Sequence, residues 1–348
     1  MVWITILCIL AALIMIGIII MVHELGHFST GRWLRFKIDE FAVGFGPKIV
    51  KWKSKKYETL YSIRPFPIGG FTRYHGEDKE AVDEDSFSKK PIWKRAVTIF
   101  AGPAFNIIFA FVLAVIFLTA FGEDIPKITT VYAGTPAYEA GLKQGDLITS
   151  VNGEHIDFQM EGVVAFDSLI KKDAASVKLG VLRQGQELSF DVPFYFDQKA
   201  KRMLIGIGWS ERAHYSFFEA IGMSFKWIIY IIKQTFVSLG GMITGQVPVS
   251  DVMGPVGIIS TAAQVFQSGF ESVMKFATLI SVSLGIMNIL PLPALDGGRL
   301  VFLGIEKIRR KPLPPEKEGY IHLAGFILLI GLIILLTYQD IARLITGS

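Results

Sequence analysis

The chain has 348 residues, of which 51% are hydrophobic and only 19% charged, and its net charge is +4. A mean hydropathy of +0.46 is too apolar for an ordinary soluble enzyme and points to several membrane spans. No basic block with interleaved aromatics supports a nucleic-acid partner, and a single cysteine, Cys8, excludes an intrachain disulfide.

Four runs are long and apolar enough to cross a bilayer: 3–24, 96–121, 273–293 and 321–343. The first lacks a basic n-region and a small-residue cleavage site, so it reads as an uncleaved helix. It ends in "HELGH". His23 and His27, four residues apart, share one helical face and can offer ring nitrogens to a single ion, with Glu24 beside them. This is the H-E-x-x-H arrangement, in which the histidines ligate Zn²⁺ and the glutamate is a general base. Ionisable groups at membrane depth are costly unless they function. The alternative is a pair of interfacial histidines at a helix end with a snorkelling glutamate.

Residues 31–95 carry 15 Lys or Arg against nine acids, and the loop "EKIRRKPLPPEKEGY" is also basic, which puts both on the cytoplasmic side. Both termini and the net acidic stretch 123–272 then fall outside. Within the first loop, "FAVGFGPKIVKWKSKKYETLYSIRPFPIGGFTRY" alternates apolar and polar residues around a basic turn. It predicts a hairpin, with Pro65 and Pro67 confining its second strand to an edge. In the second run, "AGPAFN", Gly102 and Ala104 allow close helix approach. Asn106 needs a polar partner inside the bundle, either as packing or as a substrate contact.

From Pro126 to about Trp209, short apolar runs split by Gly, Asp and Asn predict a small α+β domain. A tight turn is expected at "VNGEHI" and a helix at "EGVVAFDSLIKKD". In "FFEAIGMSFKWIIYIIKQTFVSLGGM", Glu219, Lys226 and Lys233 recur every seven residues on one face, which favours an interfacial helix over a fifth span.

Catalytic zinc usually takes three protein ligands, so the chain must supply one more. His75, His155, His214 and His322 are candidates, but His155 and His214 lie on the far side by this topology. The sharper candidate is Asp296, in "SLGIMNILPLPALDGGRLVFL", at the cytoplasmic depth of the histidines. Two preceding prolines and two following glycines predict an interrupted, extended segment there. The alternative is a helix-terminal Asp paired with Arg299.

These residues resemble the site-2 protease family of intramembrane zinc metalloproteases, and within it the bacterial branch that includes the regulator-of-sigma-E protease, in a single-PDZ form. The resemblance covers nearly the whole chain. It rests on "HELGH", "NILPLPALDGG", "FSKKPIWKRAVTIFAGPAFN", "MGPVGI" and the PDZ-like "VYAGTPAYEAGLKQGDLITSVNGEHI". It implies a multi-pass α-helical membrane protein with about four transmembrane helices, a cytoplasmic-side membrane-associated β-hairpin and an inserted extracytoplasmic PDZ-like α+β domain. The corresponding segments are 1–122 for the first two spans and the loop, 123–210 for the PDZ-like domain, and 211–348 for the interfacial helix and last two spans.

The same resemblance implies His23, His27 and Asp296 as zinc ligands and Glu24 as catalytic acid/base. Asn288, Pro291 and Pro293 would shape the substrate cleft. Gly69 and Gly70 belong to the β-loop whose free edge would pair with an unwound substrate strand. The implied substrates are single-pass membrane proteins or their trimmed remnants, such as anti-sigma factors or remnant signal peptides, cut in a bacterial plasma (inner) membrane. The PDZ-like groove would take a peptide C-terminus by strand addition, the alternative being a β-rich spacer with no ligand, and the resemblance also implies that the domain filters out substrates with bulky ectodomains. A catalytically inactive PDZ scaffold and a zinc transporter are the rival readings.

Overall fold

The computed structural model describes residues 2–77, 83–171, 173–246, 248 and 252–346. The chain divides into two compact units, Met1–Val115 with Trp227–Ser348, and Ile116–Lys226. Four helices are long and apolar enough to cross a membrane: α1 (Val2–Trp33), α2 (Ile92–Phe121), α7 (Phe270–Ile289) and α9 (Pro315–Thr346). Each of the four expected runs is therefore helical over most of its length. Several bounds differ, because helices continue past the apolar stretch wherever backbone bonding and packing persist.

In α1, Ala12, Ile19, His23 and His27 are buried. Their spacings of seven, four and four put them on one face. The opposite face exposes Trp3, Leu7, Leu10, Ile14 and Ile18, a surface suited to lipid rather than water. Gly26 of "HELGH" lets α2 approach closely, since a Cβ there would strike the Ala101 carbonyl.

The loop after α1 corrects the expected hairpin. It forms four strands, β1 (Ile38–Phe45), β2 (Val50–Lys53), β3 (Leu60–Ile63) and β4 (Phe66–Tyr74), in the order β2-β3-β1-β4. The hairpin survives only as antiparallel β2–β3 around the basic turn, while β3 runs parallel to β1. Pro65 breaks the expected second strand in two. The part holding Pro67, β4, is an edge strand bonded only to β1, as a residue without an N–H requires. Glu40 is buried beneath this sheet among Ser62 Oγ (2.8 Å), Arg64 Nη2 (2.8 Å), Lys48 Nζ (3.0 Å) and Arg73 Nη2 (3.0 Å). Burial pushes its carboxyl up, but the bonds from Arg64, Ser62 and Lys48 outweigh it and hold the pKa at about 2. A small core of Leu34, Phe36, Ile38, Tyr74, Phe87, Ile99 and Leu303 joins the sheet to the helix ends of this unit.

The third apolar run stops at Ile289, short of the expected 293. Residues 290–295 are non-helical, and Asp296 is the first residue of α8 (Asp296–Arg309), an element the sequence did not suggest. Pro291 and Pro293 remove two N–H donors from this connection. At the next turn only glycine fits, because a Cβ on Gly297 would strike the carbonyls of Ile289 and Leu290, and one on Gly298 that of Leu292. A second unforeseen helix, α6 (Pro255–Gln267), packs on α1, α7 and α9. Its first turn donates Gly254 N and Gly257 N to the buried Asp340 of α9, at 3.1 and 2.7 Å. The stretch read as interfacial forms α5 (Phe217–Ile243).

The second unit holds α3 (Pro136–Glu139) and α4 (Gln159–Lys171) on a sheet of β5 (Glu123–Val131), β6 (Leu147–Val151), β7 (Glu154–His155), β8 (Ser176–Arg183), β9 (Gln186–Pro193) and β12 (Ile207–Ala213). Its order is β12-β5-β6-β8-β9, with β7 paired to β6. A separate ribbon pairs β10 (Tyr195–Asp197) with β11 (Arg202–Leu204). Val177, Leu179 and Val181 alternate inward with Ile148 and Val151 to form the core. Asn152 (φ 49°) and Gly153 (φ 84°) make the expected tight turn. Helix α4 lies where a helix was expected; Lys172, within that stretch, is outside the described residues.

Candidate metal centre

Three donor atoms converge from two distant parts of the sequence. His23 Nε2 lies 3.1 Å from His27 Nε2, and Asp296 Oδ2 lies 3.0 Å from the first and 3.3 Å from the second. Both histidines are buried. Among the described residues this is the one group of three or more His, Cys, Asp or Glu side chains that could hold a metal ion.

The chemistry of the set fits a cation. His27 Nδ1 donates to the Thr98 carbonyl at 2.9 Å, and a carbonyl only accepts, so Nε2 carries the lone pair. That lone pair faces another ring nitrogen and a carboxylate oxygen. Asp296 Oδ2 is buried and receives no well-formed hydrogen bond. Three electron-pair donors this close repel one another unless a positive charge lies between them. Donors about 2.0–2.1 Å from a tetrahedral zinc stand roughly 3.3 Å apart, close to the separations found here. Space is reserved as well: a Cβ on Gly102 of α2 would fall against His27 Nε2, 2.5 Å from His27 Cε1 and 2.9 Å from His23 Cε1.

The frame around these atoms is built by the neighbouring elements. Thr72 Oγ1 donates to the Glu24 carbonyl (3.1 Å) and Tyr74 Oη to the His27 carbonyl (2.7 Å), so β4 grips α1 beside the histidines. Arg299, one turn after Asp296, forms an ion pair with Glu77, whose other oxygen accepts Tyr74 N at 3.1 Å. Arg95 of α2 binds Glu306 of α8 through two bonds, at 3.0 and 2.5 Å. The alternative partner for Asp296, Arg299, is thus engaged elsewhere.

The other histidines stand in other surroundings. His75 binds Asp39 and Asp83, His155 pairs with Asp157, and His322 Nδ1 accepts Ala294 N at 3.0 Å. Glu24 is half-buried at the position after His23 and is not among the three converging ligands. Asn288 is half-buried at the end of α7, Pro291 is exposed, and Pro293 packs against Gly325 of α9. Gly69 and Gly70 are buried where β4 crosses α1: a Cβ on Gly69 would meet Ile20, and one on Gly70 would meet Met21.

Sequence reasoning passed over Thr98 and Tyr74. The signal for Thr98 was available: Thr98, Gly102 and Asn106 recur every four residues and so share one face of α2. Tyr74 left no such signal, because its partner is a backbone carbonyl 47 positions away.

A profile of peptidase family M50 matches residues 11–332. A Clostridium acetobutylicum protein named as a zinc metalloprotease is 33% identical over 333 residues, covering 96% of this chain and 97% of the relative. A Nostoc protein of the same designation is 35% identical over 357 residues, covering 97% of each. The regulator of sigma-W protease RasP of Bacillus subtilis is 29% identical over 420 residues, covering 97% of this chain and 98% of the relative.

Proposed function

The chain belongs to peptidase family M50 and is an intramembrane zinc metalloprotease, and from that premise we propose that His23, His27 and Asp296 hold the zinc while Glu24 is the catalytic acid/base. The observation that carries this is the meeting of three lone-pair donors, two from α1 and one from the start of α8, within 3.0–3.3 Å.

Bound there, zinc supplies Lewis acidity that polarises a carbonyl and makes water a better nucleophile. Glu24 takes a proton from the attacking water and delivers it to the leaving amide nitrogen, so one carboxylate serves as base and then acid. A helical peptide bond is shielded by its own hydrogen bonds, so the substrate must be extended before it is cut. The free edge of β4, beside Gly69 and Gly70, offers backbone groups for strand pairing, and Asn288 offers an amide to the substrate backbone. Pro291 and Pro293 shape the adjoining wall.

The substrates are single-pass membrane proteins or their trimmed remnants. Sigma-factor regulation, which the Bacillus subtilis relative carries in its name, makes anti-sigma factors the first class to test. By the distribution of basic residues, the metal site opens towards the cytoplasm, and the PDZ-like segment 123–210 and both termini lie outside. That segment takes a peptide C-terminus or filters substrates by ectodomain size.

The test is Glu24→Gln in full-length protein reconstituted into lipid vesicles with a transmembrane reporter substrate. Cleavage is expected to vanish while zinc remains bound. A variant that cuts at the wild-type rate would refute the role given to Glu24.

A further inference from the structure

Asn106 of α2 has no exposed surface, and its own position is pinned because Ser281 Oγ of α7 donates to its backbone carbonyl at 2.8 Å. Its side chain reaches the second nitrogen of the His23 ring, with the amide nitrogen Nδ2 standing 3.4 Å from His23 Nδ1, while the amide oxygen Oδ1 is buried without a partner. This is an inconsistent arrangement of protons. His23 Nε2 faces His27 Nε2 and Asp296 Oδ2, so it must present a lone pair to the shared ion, and the ring proton then sits on Nδ1. An N–H needs an acceptor, and an amide NH₂ cannot accept. The oxygen and nitrogen of an amide have nearly the same shape and are told apart by their hydrogen bonds. A half-turn of the amide sets Oδ1 against the His23 Nδ1–H and gives up no hydrogen bond, because Oδ1 has none where it stands.

We infer that Asn106 is a positioning residue for the metal site: its side-chain oxygen accepts the His23 Nδ1–H and so fixes Nε2 as the ligating atom. Thr98 does the same for His27 through its carbonyl, at 2.9 Å. The two partners lie eight residues apart on one face of α2, with Gly102 midway making room for both rings. One face of one helix thereby sets the tautomer of both histidines. The inference rests on the zinc-site reading above.

The experiment compares full-length wild-type protein with Asn106→Leu, which keeps the volume without an acceptor, and Asn106→Asp, which keeps the acceptor. Zinc affinity is measured in detergent by competition with a coloured chelator, and folding is followed by gel filtration and thermal melting. Asn106→Leu is expected to weaken zinc by about 10–100-fold, and Asn106→Asp to bind at or above the wild-type level. If Asn106→Leu fails to fold, Asn106→Ala takes its place. Wild-type affinity in the variant without an acceptor, or equal loss in Asn106→Leu and Asn106→Asp, would overturn the positioning role and leave the zinc site standing. A wild-type chain that binds no zinc would remove the site reading itself, and this inference with it.

Discussion

Gly102→Ala is the smallest change that strikes the metal site without touching a ligand. The new methyl would lie 2.5 Å from His27 Cε1 and 2.9 Å from His23 Cε1, with His27 Nε2 nearer still. Carbon atoms rest at about 3.5–4.0 Å, so the imidazoles must retreat by roughly 0.5–1 Å. Neither ring can retreat freely, because His27 is tied to Thr98 and α1 is held against α2 at Gly26. Overpacking costs about 1–3 kcal/mol, while Ala gains about 1 kcal/mol over Gly in a helix, so the net stability loss is about 0–2 kcal/mol. Catalysis is far more sensitive, since a misplacement of about 1 Å costs roughly 100-fold in rate, near 2.7 kcal/mol of barrier. The assay is cleavage of a transmembrane reporter in proteoliposomes, with zinc content and thermal melting measured on the same samples. Activity is expected to fall roughly 100-fold with the fold intact. A Gly102→Ala protein with wild-type cleavage and zinc content would show that the space beside the rings does not belong to the metal site.

Two further perturbations test the frame. Glu40 is held at about 2 against an ordinary value of 4.5, so its contribution is fully present above pH 4.5 and is lost as pH falls through 2. With Arg73 half-exposed and screened, that contribution is about 2–3 kcal/mol; hydrogen-exchange protection factors across residues 38–74, corrected for the intrinsic pH dependence of exchange, should fall between pH 5 and 2 in wild type but not in Glu40→Gln, and identical pH slopes would refute it. Arg95→Ala leaves Glu306 without its buried partner and should cost about 3 kcal/mol in thermal or denaturant unfolding, with part restored by adding Glu306→Ala. A cost within about 0.5 kcal/mol would mean that solvent already screens the pair.

The parts of this protein legible in its sequence are those carried by short-range periodicity. His23 and His27 declare themselves because a helix brings positions four apart together, and the spans declare themselves because lipid demands long apolar runs. Asp296 was visible as an acid in an apolar stretch broken by prolines, although the helix that begins at it was not. The sheet after α1 shows the limit. Alternation around the basic turn marks β2 and β3, but nothing local says that β3 will lie parallel to β1, because parallel pairing is settled by packing against α1 and not by a turn. Asp340 accepting the N–H groups that open α6, and Arg95 meeting Glu306 across 211 positions, likewise join polar groups that are unremarkable until the chain is folded. At the converging donors, His23, His27 and Asp296 were readable, as was the α2 face that carries Thr98 and Asn106, but the bond from His27 to Thr98 was not, since a backbone carbonyl carries no residue identity.

The most direct measurement is the zinc content of the purified full-length protein, determined by elemental mass spectrometry after dialysis against a weak chelator. Wild type should retain one zinc per chain, and His23→Ala and Asp296→Ala should each lose it while remaining folded. No zinc in wild type, or full occupancy in Asp296→Ala, would contradict the joint grip of α1 and α8 on a single ion.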